Sequence, residues 1–562
     1  MIRALLISSA LLLGACATPS IAPAPSEEAA LFGDFLAGAY ASRVDDYTAR
    51  TAYYAKAFER VPEDVFIGRR ALTYAVLDGD MDLARKLAAD MLSVDGVEPM
   101  ARMVAGQGAL KRGRHARAAT LFGPDTQDLT MGIAMDIMQG WNAVAMGDET
   151  AARAAFETIG GGPDFKTLAE LQLAIMDNAA GEVDAALARL DGMAESELYE
   201  VEVVLTRARI MGAAGRATEA RDLLVEFNRE NGNPESGPVP DAIAALSAGK
   251  SLRTEFAPHE YAARALTEPT YSFFVRNRAL DAAELYLRMA VDLDPDYDKA
   301  KIWLGNILEA SDRDAQALAL YDSITEDSAY VVSARLAKAN VYFGMDEDGK
   351  ALKTLEAINA LRPSVITREA LGRARLIREN YAEALPIYDA LIASLTDEQL
   401  AADTQPLYFR GIAREREGDF DGAVADFKRV LSFEPDDADA LNYLGYTWVD
   451  RGENLQEAFE MIERAVELEP DSGAIVDSLG WAHYRLGRYE EAKAHLEKAA
   501  ELTPTSATII DHLGDVYWKL GRFREAGYQW SRALGLDPDD EERANIRAKL
   551  KGGLDAAIDL SP

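Results

Sequence analysis

One cysteine, Cys16, occurs in the whole chain, so no intrachain disulfide and no Cys-based metal site can form. Histidine is nearly as scarce. The five are His115, His259, His483, His495 and His512, and none stands four residues from another with a carboxylate ligand beside it, the spacing a helical zinc site would use. His483, His495 and His512 fall on successive predicted helices, where a cluster is conceivable, but they read as ordinary helix-face residues. There is no Gly-rich phosphate loop, no HExxH and no GxSxG behind a strand. These absences predict a chain that is not an enzyme and holds no cofactor or metal. Basic residues are also short: 59 Lys and Arg face 94 Asp and Glu, a net charge of −35 that repels nucleic acid and anionic membrane surfaces. The acidity reads as a solvated convex face that keeps an apolar-cored chain soluble, with an acidic ligand site as the alternative.

Apolar runs long enough to span a bilayer are missing after residue 16, and what lies before it has a different use. Residues 1–16, MIRALLISSALLLGAC, give one basic residue, an apolar run from Ala4 to Leu13, and the ending Leu13-Gly14-Ala15-Cys16. This is the layout of a secretory signal. The ending resembles the bacterial lipobox, which implies cleavage before Cys16 and acylation of that residue. An ordinary signal with an incidental cysteine is the alternative. Because Ala17 rather than Asp follows Cys16, the lipoprotein resemblance implies delivery to the outer membrane of a Gram-negative cell, facing the periplasm. Residues 17–26, ATPSIAPAPS, predict an extended leash.

Small residues, by contrast, recur on a strict period. Gly79, Gly113, Gly147, Gly181 and Gly215 are 34 apart, and Ala84, Ala118, Ala152, Ala186 and Ala220 keep the same step. Near the C-terminus, Gly480, Gly487, Ala492, Ala499 and Pro504 return as Gly514, Gly521, Ala526, Ala533 and Pro538. The pattern resembles the tetratricopeptide (TPR) family, in which helix A, a turn, helix B and a closing Pro form each unit. The fold class expected is all-α, a superhelical solenoid of about fourteen helical hairpins in two arrays. With 49% apolar residues there is enough material for a continuous core.

Units of the first array start at residues 31, 65, 99, 133, 167 and 201. Residues 228–240, NRENGNPESGPVP, break the phase with three Pro and two Gly in thirteen positions, which forbid a continuing helix and predict a hinge or domain boundary. The second array starts near Arg264, with further units near 298, 332, 365, 404, 438, 473 and 507. The expected division is a signal at 1–15, acylated Cys and tether at 16–30, arrays at 31–234 and 264–540 around a linker at 235–263, and a capping helix and tail at 541–562. TDEQLAADT at 396–404 and one extra residue near 453–456 read as surface loop insertions.

The TPR resemblance implies that helix A positions 2, 5, 9, 12 and 13 line the concave groove. In the last three units these are Asn442, Tyr446 and Asp450, then Asp477, Trp481, Tyr484 and Arg485, then Asp511, Asp515, Trp518 and Lys519. An aromatic and acidic surface of this kind suits an apolar segment carrying Lys or Arg. Trp481 and Trp518 are either exposed anchors of that groove or plugs between hairpins. Position 5 is Asn442, Asp477 and Asp511, not the Lys with which some TPR domains grip a C-terminal carboxylate.

The phrases LNYLGY, DSLGWAHYRLGRY and DHLGDVYWKLGR within residues 441–534 resemble a group of proteobacterial outer-membrane TPR lipoproteins. That resemblance implies a non-enzymatic adaptor whose partners are periplasmic proteins, among them a carboxyl-terminal processing protease and cell-envelope substrates. A structural scaffold for outer-membrane assembly or export is the alternative.

Overall fold

The computed structural model describes residues 26–554 apart from 45, 95–97, 124–128, 162–164, 194–199, 233, 271–274 and 277; Cys16 and most of the leash lie outside them. Hairpins follow one another from the start. They are α1 (Glu27–Arg43) with α2 (Tyr47–Arg60), α3 (Val65–Leu77) with α4 (Met81–Val94), and α5 (Pro99–Lys111) with α6 (His115–Leu121). Next come α7 (Leu129–Met146) with α8 (Glu149–Ile159), α9 (Lys166–Ala179) with α10 (Val183–Asp191), and α11 (Glu200–Ala213) with α12 (Ala217–Glu230). A single helix, α13 (Pro238–Ser247), precedes α14 (Pro258–Pro269) with α15 (Leu280–Leu293) and α16 (Asp298–Glu309) with α17 (Asp314–Asp322). The chain continues as α18 (Val331–Gly344) with α19 (Asp348–Leu361), α20 (Val365–Ile377) with α21 (Tyr381–Ser394), the short α22 (Asp397–Ala402), and α23 (Gln405–Arg416) with α24 (Phe420–Phe433). It ends in α25 (Ala438–Arg451) with α26 (Leu455–Leu468), α27 (Gly473–Arg485) with α28 (Tyr489–Leu502), α29 (Ala507–Lys519) with α30 (Phe523–Leu534), and a closing helix, α31 (Asp540–Gly552). All fourteen expected hairpins form, and no strand occurs among the described residues. The fold is an all-α TPR solenoid.

The 34-residue marks each have a steric cause. Gly79, Gly113, Gly147, Gly181 and Gly215 take φ between 66° and 85°, the left-handed region where a Cβ is strained, and there the chain turns from helix A to helix B. The same turn is made without glycine at Arg278, Asp312, Asp346 and Glu379, with φ between 56° and 59°. Each of those residues accepts a strain of order 1 kcal/mol, and none is visible in a glycine count. The helix B alanines, from Ala84 to Ala526, are wholly buried. A Cβ on Gly38, Gly140, Gly305, Gly372, Gly411 or Gly514 in helix A would run into the ring of Tyr54, Phe156, Tyr321, Tyr388, Phe427 or Trp530 in helix B. Small faces large, and the hairpin closes.

The chain forms two compact units, residues 1–331 and 332–562. The break at 228–240 does not separate them. In the first unit α13 stacks on α11 and α12, after which α14 turns back onto α5, α7 and α9, and α15 onto α3 and α5. The helix A of this hairpin begins at Pro258, earlier than the Arg264 expected, with the Glu260 carboxylate accepting from the Ala257 N–H at 2.6 Å. In each unit A helices of successive hairpins touch, as α3 does α5 and α25 does α27, so the A row is the inner one. The insertion at 396–404 is more than a surface loop: Thr396 caps α22, and Leu400 is buried in the core beside Leu407 and Val430.

Candidate functional site

The inner row of the first unit is occupied by the unit's own chain. Asp292 of α15 is the centre of a clamp: it takes Arg85 Nη1 at 3.1 Å, Lys111 Nζ at 3.2 Å and Gln107 Nε2 at 3.1 Å. Gln107 Nε2 also donates to the Met289 carbonyl. Tyr286 of α15 donates to the Thr130 carbonyl of α7 at 2.6 Å, and Tyr261 of α14 stacks on Trp141 of α7 with ring centres 4.3 Å apart. Arg313 closes the other end by donating to Glu284 at 2.6 Å and to the Leu77 carbonyl at 2.8 Å. A cleft of about 520 Å³ remains between α9, α11 and α14, walled by Phe256 and Tyr261. Its charges already have partners: Glu202 takes Arg209 at 2.9 Å, Glu268 takes Lys299 at 2.6 Å, and Arg264 reaches Asp294 at 2.8 Å.

The second unit has an inner row with open stretches. On α20, Ile377 is 66% exposed and Ile366 49% exposed, and they stand at repeat positions 13 and 2, which the TPR resemblance assigns to the groove. Glu369 and Arg373 lie between them. Burial, aided by the charge of Asp403, pushes the Glu369 carboxyl above its ordinary range. A smaller cleft of about 200 Å³ opens beside them toward Gln405 and Phe409; the buried Tyr388 hydroxyl lines it and has no hydrogen-bond partner among the described residues. These residues were not singled out from the sequence, although repeat positions 2 and 13 on α20 would have pointed to Ile366 and Ile377.

On α25, Asn442 and Tyr446 are half-buried. Asn442 Oδ1 is buried with no partner among the described residues, and desolvation, with Asp450 and Asp477 nearby, holds the Tyr446 hydroxyl proton firmly. Asp450 accepts from Arg485 Nη1 at 2.9 Å. One hairpin on, Asp477 takes the Nδ1 of His512 at 3.0 Å. The Trp481 ring stacks on His512 at 4.1 Å and on Tyr484 at 4.6 Å, while its Nε1 finds no partner among the described residues. Trp481 is therefore half-buried with both neighbours on its ring, neither a bare anchor nor a sealed plug. His512, drawn to Asp477, stands apart from His483 and His495, whose rings stack on each other at 5.2 Å.

Asp511, Asp515 and Trp518 form a separate set. Lys549 of α31 places its Nζ 2.6 Å from Asp511 and 2.8 Å from Asp515, and Asp515 also accepts from Trp530 Nε1 at 2.9 Å. Burial and the neighbouring charge of Asp515 push the Asp511 carboxyl up to about 6. Trp518 meets Phe523 and Trp530 and lies against Gly553, where a Cβ would strike the indole. The eight groove residues thus divide into a half-buried run, Asn442, Tyr446, Trp481 and Tyr484, with Asp477 buried beneath it against His512, and a covered end, Asp511, Asp515 and Trp518.

Among the described residues no helix is long and apolar enough to cross a membrane, and no group of His, Cys, Asp or Glu is arranged to hold a metal ion. Family models described as "TPR repeat" and "Tetratricopeptide repeat" match residues 480–521 and residues 272–330 and 410–475. The chain is 30% identical over 198 residues to the TPR repeat-containing protein PA4667 of Pseudomonas aeruginosa, covering 35% of this chain and 33% of that one. It is 24% identical over 220 residues to the peroxisomal targeting signal receptor of Candida albicans, covering 38% of this chain and 37% of the receptor. The chain thus spans about a third of the length of the curated relatives it matches. Among solved structures it is similar to the Cut9–Hcn1 hetero-tetramer of the APC/C, at 16% identity and a TM-score of 0.36 over 93% of this chain and 96% of that one. It is also similar to YrrB, described as a TPR protein with an unusual peptide-binding site, at 23% identity and 0.29 over 34% of this chain and 95% of that one.

Proposed function

We propose that this TPR-repeat chain is a non-enzymatic adaptor that binds protein segments along the inner row of its second unit. The observation that carries the reading is the contrast between the rows. The first is filled by α14 and α15, whereas the second exposes Ile366 and Ile377 and keeps unpartnered polar atoms at Asn442 and Trp481. Apolar side chains beside unpaired donors and acceptors are what a bound segment would cover and satisfy. TPR proteins act as scaffolds and adaptors for protein partners, and the name of the Candida relative is that of a receptor for a targeting signal. The finer reading adds an acyl anchor at Cys16, the outer membrane as the site, and a periplasmic processing protease with its cell-envelope substrates as the partners.

Two experiments bear on this. Affinity capture from envelope extracts should recover a protease together with a third protein whose turnover the adaptor accelerates, and Ile366→Asp with Ile377→Asp should abolish that capture while the fold persists. Recovery of export or assembly subunits alone would favour a scaffold instead. For the anchor, Cys16→Ser should lose lipid labelling and leave the outer-membrane fraction; retention there at the wild-type level would refute it.

A further inference from the structure

The covered end of the second unit's inner row holds a lysine and an aliphatic residue from the chain's own last helix. Of the residues of α31, only Ile546 and Lys549 are buried, three positions apart on one face. Ile546 enters the cluster formed by Ile510, Leu513 and Trp530, and Lys549 lies between the two carboxylates of α29. Glu542, Arg543, Asn545 and Ala548 are half-buried, and just past the helix Gly553 and Leu554 pack on Trp518 and the same cluster. The first turn of α31 is acidic, Asp540, Glu541 and Glu542, and Arg543 pairs locally with Asp537 and Asp540.

The seat asks for more cation than α31 supplies. Two aspartates face one ammonium, and Asp511 Oδ1 is buried with no partner among the described residues. A helix that closes a solenoid has a packed neighbour on one side only, which places it at the low-stability end of a fold whose contacts run only to the next element. The half-buried run of Trp481 and Tyr484 begins on the adjoining helix A, so a segment lying along the row arrives at this seat.

We propose that this end of the row is a binding seat for a partner helix carrying an aliphatic residue three places before a lysine or arginine, and that α31 is its resident, displaceable occupant. An arginine at the second position would reach both carboxylates and the unpartnered Asp511 oxygen, which a single ammonium does not satisfy. The inference rests on the protein-binding reading but names its own ligand chemistry, because α31 displays it.

The test uses the full chain and a labelled peptide with the sequence of residues 539–554. Wild type should bind it weakly, since the tethered helix competes. Lys549→Ala in the protein should tighten binding at least about tenfold by emptying the seat. Adding Asp511→Asn and Asp515→Asn should abolish the gain, and a peptide lacking its own lysine should not bind. Hydrogen exchange should show α31 opening in Lys549→Ala while α25 to α30 keep their protection. Absence of peptide binding to Lys549→Ala, loosening of the whole unit, or dimers formed by exchange of α31 would each overturn the proposal. If envelope partners bind wild type and are indifferent to these variants, the seat is refuted while protein binding stands.

Discussion

His512 is enclosed, and burial alone would lower its pKa; the Asp477 carboxylate, by charge and by hydrogen bond, more than offsets this and leaves the value raised. A proton held more firmly in the folded chain than in the unfolded one stabilises the fold fully below the unfolded value of about 6.5. That stabilisation is lost as pH rises through the higher folded value. Asp511 acts in the same direction at lower pH: raised to about 6, its carboxyl favours the folded state most when protonated, so stability declines as pH climbs from the ordinary carboxylate range to about 6. Melting of wild type between acid and mildly alkaline pH should therefore show a falling second-unit transition. His512→Gln should flatten the neutral part of that slope; an unchanged slope there would show that the Asp477 pair does not carry it.

At the scale of a helix, two glycines of neighbouring hairpins make opposite predictions. Gly487 turns the chain between α27 and α28 with φ of 74°, so Gly487→Ala should cost about 1–2 kcal/mol. Gly527 lies inside α30 with open space where a Cβ would go, so Gly527→Ala should stabilise by about 0.5–1 kcal/mol. Denaturant unfolding of the two variants beside wild type decides both signs. The same reasoning locates Lys549: charged residues are usually read outward, and only the two aspartates of α29 explain why this one is inside.

Across the first unit, one carboxylate joins helices far apart in the chain, with Lys111 and Asp292 separated by 181 positions. Asp292→Ala should leave Arg85, Lys111 and Gln107 without their shared acceptor at a cost of about 1–3 kcal/mol, the range for losing charged hydrogen bonds at a half-buried site. Hydrogen exchange should rise in α15 and in the faces of α3 and α5 beneath it, and should stay unchanged in residues 332–554. Uniform loosening of both units would contradict the nearest-neighbour energetics of a repeat fold.

The hairpins themselves were legible in the primary structure because each is closed by contacts between residues less than one repeat apart. A ring in helix B needs a glycine in helix A, as Trp530 needs Gly514, and that need recurs every 34 residues. The groove positions were legible only by analogy, and their fates diverged with no periodic signal. Asp477 and Asp511 occupy the same repeat position, yet one is met by His512 of the next hairpin and the other by Lys549 of the last helix. Where α14 turns back, and which inner row stays open, depends on long-range polar pairs such as Gln107 with the Met289 carbonyl. Periodicity reports what each repeat demands of itself; only the folded chain decides which distant segment comes to lie against it.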